Sequence, residues 1–174
     1  MPDREYVDPL HRARPHTSPL NPSVTWKTIE RIVALSSLPV LVKGVLRPDD
    51  ARVAVLSGAA GVIVSNHGAR QLEGVIPTAV VLEKIAAVAA PAPVLVDGGI
   101  RSGRDVLRAL CLGAQGVLIG RPYLWALAIS GASGVSEILL RYRLELENAL
   151  ALTGCRSPAD ADRDLLVRWT PTRA

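Results

Sequence analysis

The chain has 174 residues, 49% of them hydrophobic and 21% charged, the balance of a single globular domain and not of a disordered or fibrous chain. Phe is absent and aromatics make up 3%, so the core must come from Val, Leu, Ile and Ala, the residues of parallel sheets covered by helices. A closed eight-stranded βα barrel takes about 250 residues, more than this chain holds, and 20 Lys+Arg against 16 Asp+Glu, spread without a block of like charge, do not call for nucleic acid.

Cys111 and Cys155 have no CxxC spacing and are too few for a disulfide framework, which fits a reducing, cytoplasmic compartment. The N-terminus lacks the apolar stretch of a signal peptide and no run reaches 18 uncharged apolar residues, so no membrane span is expected. His11, His16 and His67 give no zinc-ligand spacing with the two cysteines, and no metal is expected. Neither a G-x-S-x-G elbow nor a Walker loop occurs, which excludes the commonest serine-hydrolase and nucleotide-phosphate signatures.

In chain order, residues 1–23 hold five prolines, several basic residues and two of the three histidines, the composition of an arm or linker. Thr25 is placed to cap a helix carrying Trp26, Ile29, Ile32 and Val33 to Ser36. Four short apolar runs follow, Leu38–Lys43, Gly61–Ser65, Pro93–Asp97 and Gly116–Gly120, each read as a buried strand. Helical periodicity separates them at Pro48–Ser57, Pro77–Ala89 and Ser102–Leu112, and a last helix is predicted over Val135–Leu152. Strands alternating with helices make parallel crossovers. The expected organisation is an arm over 1–23, an α/β domain over 24–157 and a tail over 158–174.

An internal repeat supports this reading. PVLVKG at 39–44 returns as PVLVDG at 93–98, and GAAGVIV at 58–64 returns as GAQGVLI at 113–119. The unit is βαβ, used twice, with a Gly-Ala-x-Gly turn admitting the second strand of each.

The unusual polar residues gather at the predicted C-terminal strand ends: Lys43, then Ser65 through Arg70, then Asp97 through Arg101, then Gly120 and Arg121. That is the side on which parallel α/β folds bind ligands. Asp97-Gly98-Gly99-Ile100-Arg101, with the start of the Ser102 helix behind it, reads as half of a phosphate cradle, and Gly120-Arg121 as the other half. A glycine turn beside two solvated arginines is the plainer alternative. Lys43 ends an apolar run, so its ammonium either faces the site, where it would stabilise a developing anion, or snorkels to water. His67 and Arg70 combine a proton acceptor with a carboxylate clamp, imidazole being the side chain that exchanges a proton near neutral pH.

On these segments, TWKTIERI (25–32), LPVLVKGVL (38–46), GAAGVIVSNHGARQL (58–72), PVLVDGGIRSGRDVLRALCLGAQGVLIGRP (93–122) and LTGCRS (152–157), the chain resembles the C-terminal half of the FMN-dependent 2-hydroxy-acid oxidising family, the glycolate oxidase, lactate oxidase and L-lactate dehydrogenase group. SNHGARQL is the most specific of them. The resemblance implies the C-terminal half of a (βα)8 TIM barrel, strands five to eight, not closed within the chain. It implies FMN as cofactor, with Lys43 at flavin N1 and C2 and Ser65 also in contact. It further implies that His67 is the catalytic base and Arg70 the holder of the substrate carboxylate. Asp97, Gly98, Gly99, Ile100, Arg101, Gly120 and Arg121 would hold the ribityl chain and phosphate.

The chain departs from the pattern at Glu73, where the family has Asp, and nothing in it matches the family's first four strands. A half barrel leaves two sheet edges unpaired and its inner face open. The expectation is therefore association, as a homo-oligomer or with a partner supplying the other half barrel. Oxidation of a 2-hydroxy acid is the leading function; a non-catalytic flavin- or phosphate-binding remnant or assembly partner is the alternative.

Overall fold

The computed structural model describes residues 23–167; the arm expected over 1–23 lies outside them except for its last residue. One helix, α1 (Trp26–Leu35), precedes β1 (Leu41–Val45), α2 (Pro48–Leu56), β2 (Gly61–Val64), α3 (Thr78–Ala89), β3 (Val94–Val96), α4 (Gly103–Cys111), β4 (Gly116–Val117) and α5 (Arg121–Thr153). The strands form one sheet in the order β1-β2-β3-β4, every pair parallel. This is the expected α/β architecture of four successive barrel strands with their helices.

Alternation along the strands divides the sheet into two faces. Val62, Val64, Val94 and Val96 are at most 2% exposed and pack with Ala51, Ala54, Leu82, Ile85 and Ala89 of α2 and α3. Burying each of these valines stabilises the fold by roughly 1.5–3 kcal/mol. The opposite face carries the register row Lys43, Ile63, Leu95 and Gly116, which no second sheet covers among the described residues.

The repeat is a structural one. Gly58 and Gly113 end α2 and α4 at φ +88 and +93, a left-handed conformation that glycine adopts without a Cβ clash. Ala59 N–H then donates to the Ala54 carbonyl and Ala114 N–H to the Ala109 carbonyl, at 3.1 and 3.0 Å. Ala60 and Gln115 next donate to Val40 and Val94, both at 2.8 Å, starting the second strand of each unit on the first.

Several boundaries differ from expectation. The first strand runs Leu41–Val45 and not Leu38–Lys43. Ser36 Oγ and Leu38 form a local turn, Pro39 has no N–H to offer a ladder, and a bulge at Gly44 (φ +98) carries the strand two residues further. The bulge returns Val45 to the helix-covered face while leaving Lys43 on the open one. The strand expected over Gly116–Gly120 stops at Val117, because its one neighbour, β3, has three residues. Ser102 is the N-cap of α4, its Oγ accepting Asp105 N–H at 3.3 Å, and not its first residue.

The last helix begins at Arg121, 14 residues before the expected start at Val135. Pro122 in its first turn starts it, and Ser130 (φ −137) with Gly131 (φ +59) breaks it into two pieces. A Cβ on Gly134 would collide with the Ala126 carbonyl, so the pieces fold back on each other; in a straight helix eight residues span about 12 Å. By length and composition alone, Arg121–Thr153 could cross a membrane, against the expectation of no such stretch. The break divides it, and the longer piece carries Glu137, Arg141, Arg143, Glu145 and Glu147. The expected tail is also partly docked: Ala161, Leu165 and Leu166 pack around Leu107 and Cys111, and Arg163 Nε meets Glu83 Oε1 at 3.0 Å. Residues 168–174 lie outside the described residues.

Candidate active site

Beyond the C-terminal strand ends lies a cavity of about 800 Å³. Of the eleven residues proposed from sequence, ten line it: Lys43, His67, Arg70, Asp97, Gly98, Gly99, Ile100, Arg101, Gly120 and Arg121. Ser65, the exception, is fully buried behind Lys43. Its hydroxyl oxygen accepts from Lys43 Nζ at 2.8 Å and from His67 N–H at 3.1 Å. The resemblance implies direct contact of Ser65 with FMN, whereas in the structure its hydroxyl orients the ammonium and the histidine loop together.

Lys43 Nζ also meets Asp97 Oδ2 at 2.7 Å. With two of its three donors occupied, the ammonium is fixed in the cavity wall and does not snorkel away. Asp97 Oδ1 is buried without a hydrogen-bond partner among the described residues. An unmet buried acceptor costs about 1–3 kcal/mol, so this oxygen suits a donor from a ligand or an ordered water.

The loop after β2 holds His67 and Arg70 on a strained backbone. His67 and Ala69 have φ +53 and +58, where a residue with a Cβ is disfavoured by about 1–2 kcal/mol. Asn66 fastens the loop: its Oδ1 accepts Gly68 N–H at 3.0 Å, and its Nδ2 donates to the Ile76 carbonyl at 3.4 Å. The His67 ring lies over Gly44, where a Cβ would come within 2.9 Å of Nε2. Gly44 thus clears the place of the imidazole. A glycine inside a strand run signals a bulge or close approach, yet its partner, 23 positions along the chain, is visible only in the fold.

In the turn after β3, Gly98 and Gly99 stand at φ +85 and +83. Thr78 Oγ1, from the first turn of α3, donates to the Asp97 carbonyl at 2.7 Å and secures the turn. The N–H groups of Gly98, Gly99, Ile100 and Arg121 make no hydrogen bond among the described residues, and Arg101 and Arg121 line the same cavity. The start of α4 does not join this cradle as expected from sequence. Gly103 N–H is taken by Glu145 Oε2 at 2.9 Å and Arg101 N–H by Asp105 Oδ2 at 3.1 Å, so the helix terminus is already satisfied by the chain's own carboxylates.

These contacts also set the charge of both carboxyls. Partial burial pushes Asp105 up, but hydrogen bonds from Arg101 N–H, Ser102 and Arg108 outweigh it and hold the carboxyl below its ordinary value. The Arg141 hydrogen bond, then Gly103 N–H, lower Glu145 in the same way.

With this geometry in view, the chain can be placed among known proteins. The profile of the FMN-dependent dehydrogenase family matches residues 5–168. The chain belongs to that family. The match reaches into both the segment expected as an arm and the one expected as a tail. The L-lactate oxidase of a Nostoc species is 51% identical over 148 residues, covering 84% of this chain and 40% of that protein. Glycolate oxidase 3 of Arabidopsis thaliana is 52% identical over 81% of this chain and 39% of its own length. Among solved structures, mandelate oxidase with (S)-2-phenylpropionate superposes with a TM-score of 0.78 at 49% identity, over 80% of this chain and 42% of that one. The chain spans about two-fifths of the length of these relatives.

FMN is the family's cofactor, and the residues present fit it. Its phosphate matches the free N–H groups and two arginines, and the hydroxyls of its ribityl chain match the unmet Asp97 Oδ1.

Proposed function

We propose that the site takes part in oxidation of a 2-hydroxy acid to the 2-oxo acid with FMN as electron acceptor. One observation carries this reading. A single cavity joins a base, a carboxylate clamp and a fixed ammonium (His67, Arg70, Lys43) to an anion cradle at Gly98–Arg101 and Gly120–Arg121. When bound, FMN supplies the ring that takes up the two electrons the substrate loses. The Arg70 guanidinium pairs with the substrate carboxylate and orients the hydroxyl-bearing carbon towards His67. His67 accepts a proton, its ring held over Gly44. Lys43, fixed by Ser65 and Asp97, offsets negative charge developing at the acceptor.

The open sheet face favours a second reading. Among the described residues no second sheet covers the row Lys43, Ile63, Leu95 and Gly116, a face suited to a flavin-binding component completed by another copy or by a partner supplying further strands. Two free thiols, Cys111 and Cys155, support a cytoplasmic location as part of the proposal.

Anaerobic titration with FMN and then with lactate or glycolate separates these readings. Spectral perturbation followed by bleaching is expected of the oxidase. Perturbation without bleaching supports a binding component, and no perturbation contradicts both.

A further inference from the structure

The cradle is gripped from outside by both pieces of α5. Tyr142, 7% exposed, donates its hydroxyl to the Ile100 carbonyl oxygen at 3.0 Å. Burial, then the nearby Asp105 and Glu145 charges, push this phenol up, so it stays a donor. One turn on, Glu145 accepts Gly103 N–H and is held by Arg141 at 2.8 Å. From the first piece of α5, the Trp125 ring centroid lies 5.9 Å from Arg101 Cζ, within cation–π reach.

The Ile100 carbonyl and the Arg101 N–H belong to one planar peptide unit. Tyr142 holds its oxygen, and Asp105 Oδ2 holds its N–H at 3.1 Å. A plane fixed at both edges cannot rotate, which settles where Arg101 leaves the backbone. Trp125 then settles the far end of the same side chain.

We infer that Tyr142, aided by Trp125, is a positioning residue for phosphate recognition: by locking the Ile100–Arg101 peptide it aims the glycine-turn N–H groups and the Arg101 guanidinium into the cavity before a ligand arrives. The inference rests on the FMN reading above. Preorganisation of this kind strengthens binding of the phosphate and leaves the affinity for the flavin ring alone.

The test uses the full chain and two ligands that differ only in the phosphate. FMN and riboflavin are titrated against wild type, Tyr142→Phe and Trp125→Leu by flavin fluorescence. Tyr142→Phe keeps the buried ring and loses one hydrogen bond, so FMN binding is expected to weaken about fivefold with riboflavin unchanged. Trp125, 52% exposed, is tolerant of replacement; Trp125→Leu should weaken FMN by a smaller factor, again selectively, and Trp125→Phe should restore it. Equal weakening of both ligands, or of neither, overturns the positioning role while leaving the FMN reading intact. A wild-type chain that binds neither flavin overturns both.

Discussion

The two loops that line the cavity are built on opposite plans. At the cradle, glycines supply the left-handed backbone, and Thr78, Asp105, Tyr142 and Glu145 tie the turn to three helices. At the histidine loop, His67 and Ala69 occupy left-handed space without being glycine, held by Asn66 and Ser65. The proposed anion cradle therefore rests on relaxed backbone with many anchors, and the proposed proton acceptor on strained backbone with few. The histidine loop should be the first to lose function when the structure is perturbed.

The largest expected effect breaks the cradle. A Cβ on Gly103 would fall onto the backbone of Glu145 and Leu146, so Gly103→Ala should cost about 3 kcal/mol, read as a lower urea midpoint, and weaken FMN binding with it. Next comes Gly44→Ala, which forces a side chain to φ +98 and into the His67 ring. It should cost about 2 kcal/mol and reduce anaerobic bleaching far more than FMN affinity. Equal losses in both would erase the distinction between the loops.

Ala69→Gly sharpens the comparison in the other direction. Relief at φ +58, less the added freedom of the unfolded chain, should stabilise by about 0.5 kcal/mol, a small rise in Tm. The remaining effect is a dependence on pH. Asp105 sits below its ordinary 3.8, so its contribution is complete above that value and disappears as pH falls through the lower folded one. Asp105→Asn should cost about 1 kcal/mol near pH 7, and the gap to wild type should start to close only as pH falls below about 3.8, in acid titrations followed by circular dichroism.

The sequence was most informative where chemistry and local signals coincide. Lys43, His67, Arg70, the Asp97–Arg101 turn and Gly120–Arg121 could be located because strand ends collect ligand-binding residues, and the βαβ repeat because GAxG turns carry their own conformational demand. What escaped depends on residues far apart in the chain. Tyr142 reaches Ile100 across 42 positions, and Thr78 reaches Asp97 across 19. Neither has a local signature, since a Tyr on an apolar helix face and a Thr in a first turn each satisfy ordinary packing and propensity. The early start of α5 escapes a reading of Gly120-Arg121 as half of a phosphate cradle, although Pro in a first helical turn is itself a start signal. The role of the α4 terminus is hidden in the sequence because Glu145, 42 positions away, takes Gly103 N–H, and the helix's own Asp105 takes Arg101 N–H.

In the proposed function one cavity carries flavin binding and proton transfer on separate loops. Anaerobic absorbance of Arg121→Ala and His67→Ala, titrated with FMN and then with glycolate or lactate, tests it most directly. Arg121→Ala should weaken FMN by roughly tenfold or more yet still bleach once saturated. His67→Ala should bind FMN as wild type does and bleach at least about 100-fold more slowly. Loss of FMN binding in His67→Ala, or unchanged bleaching without the imidazole, would contradict the account.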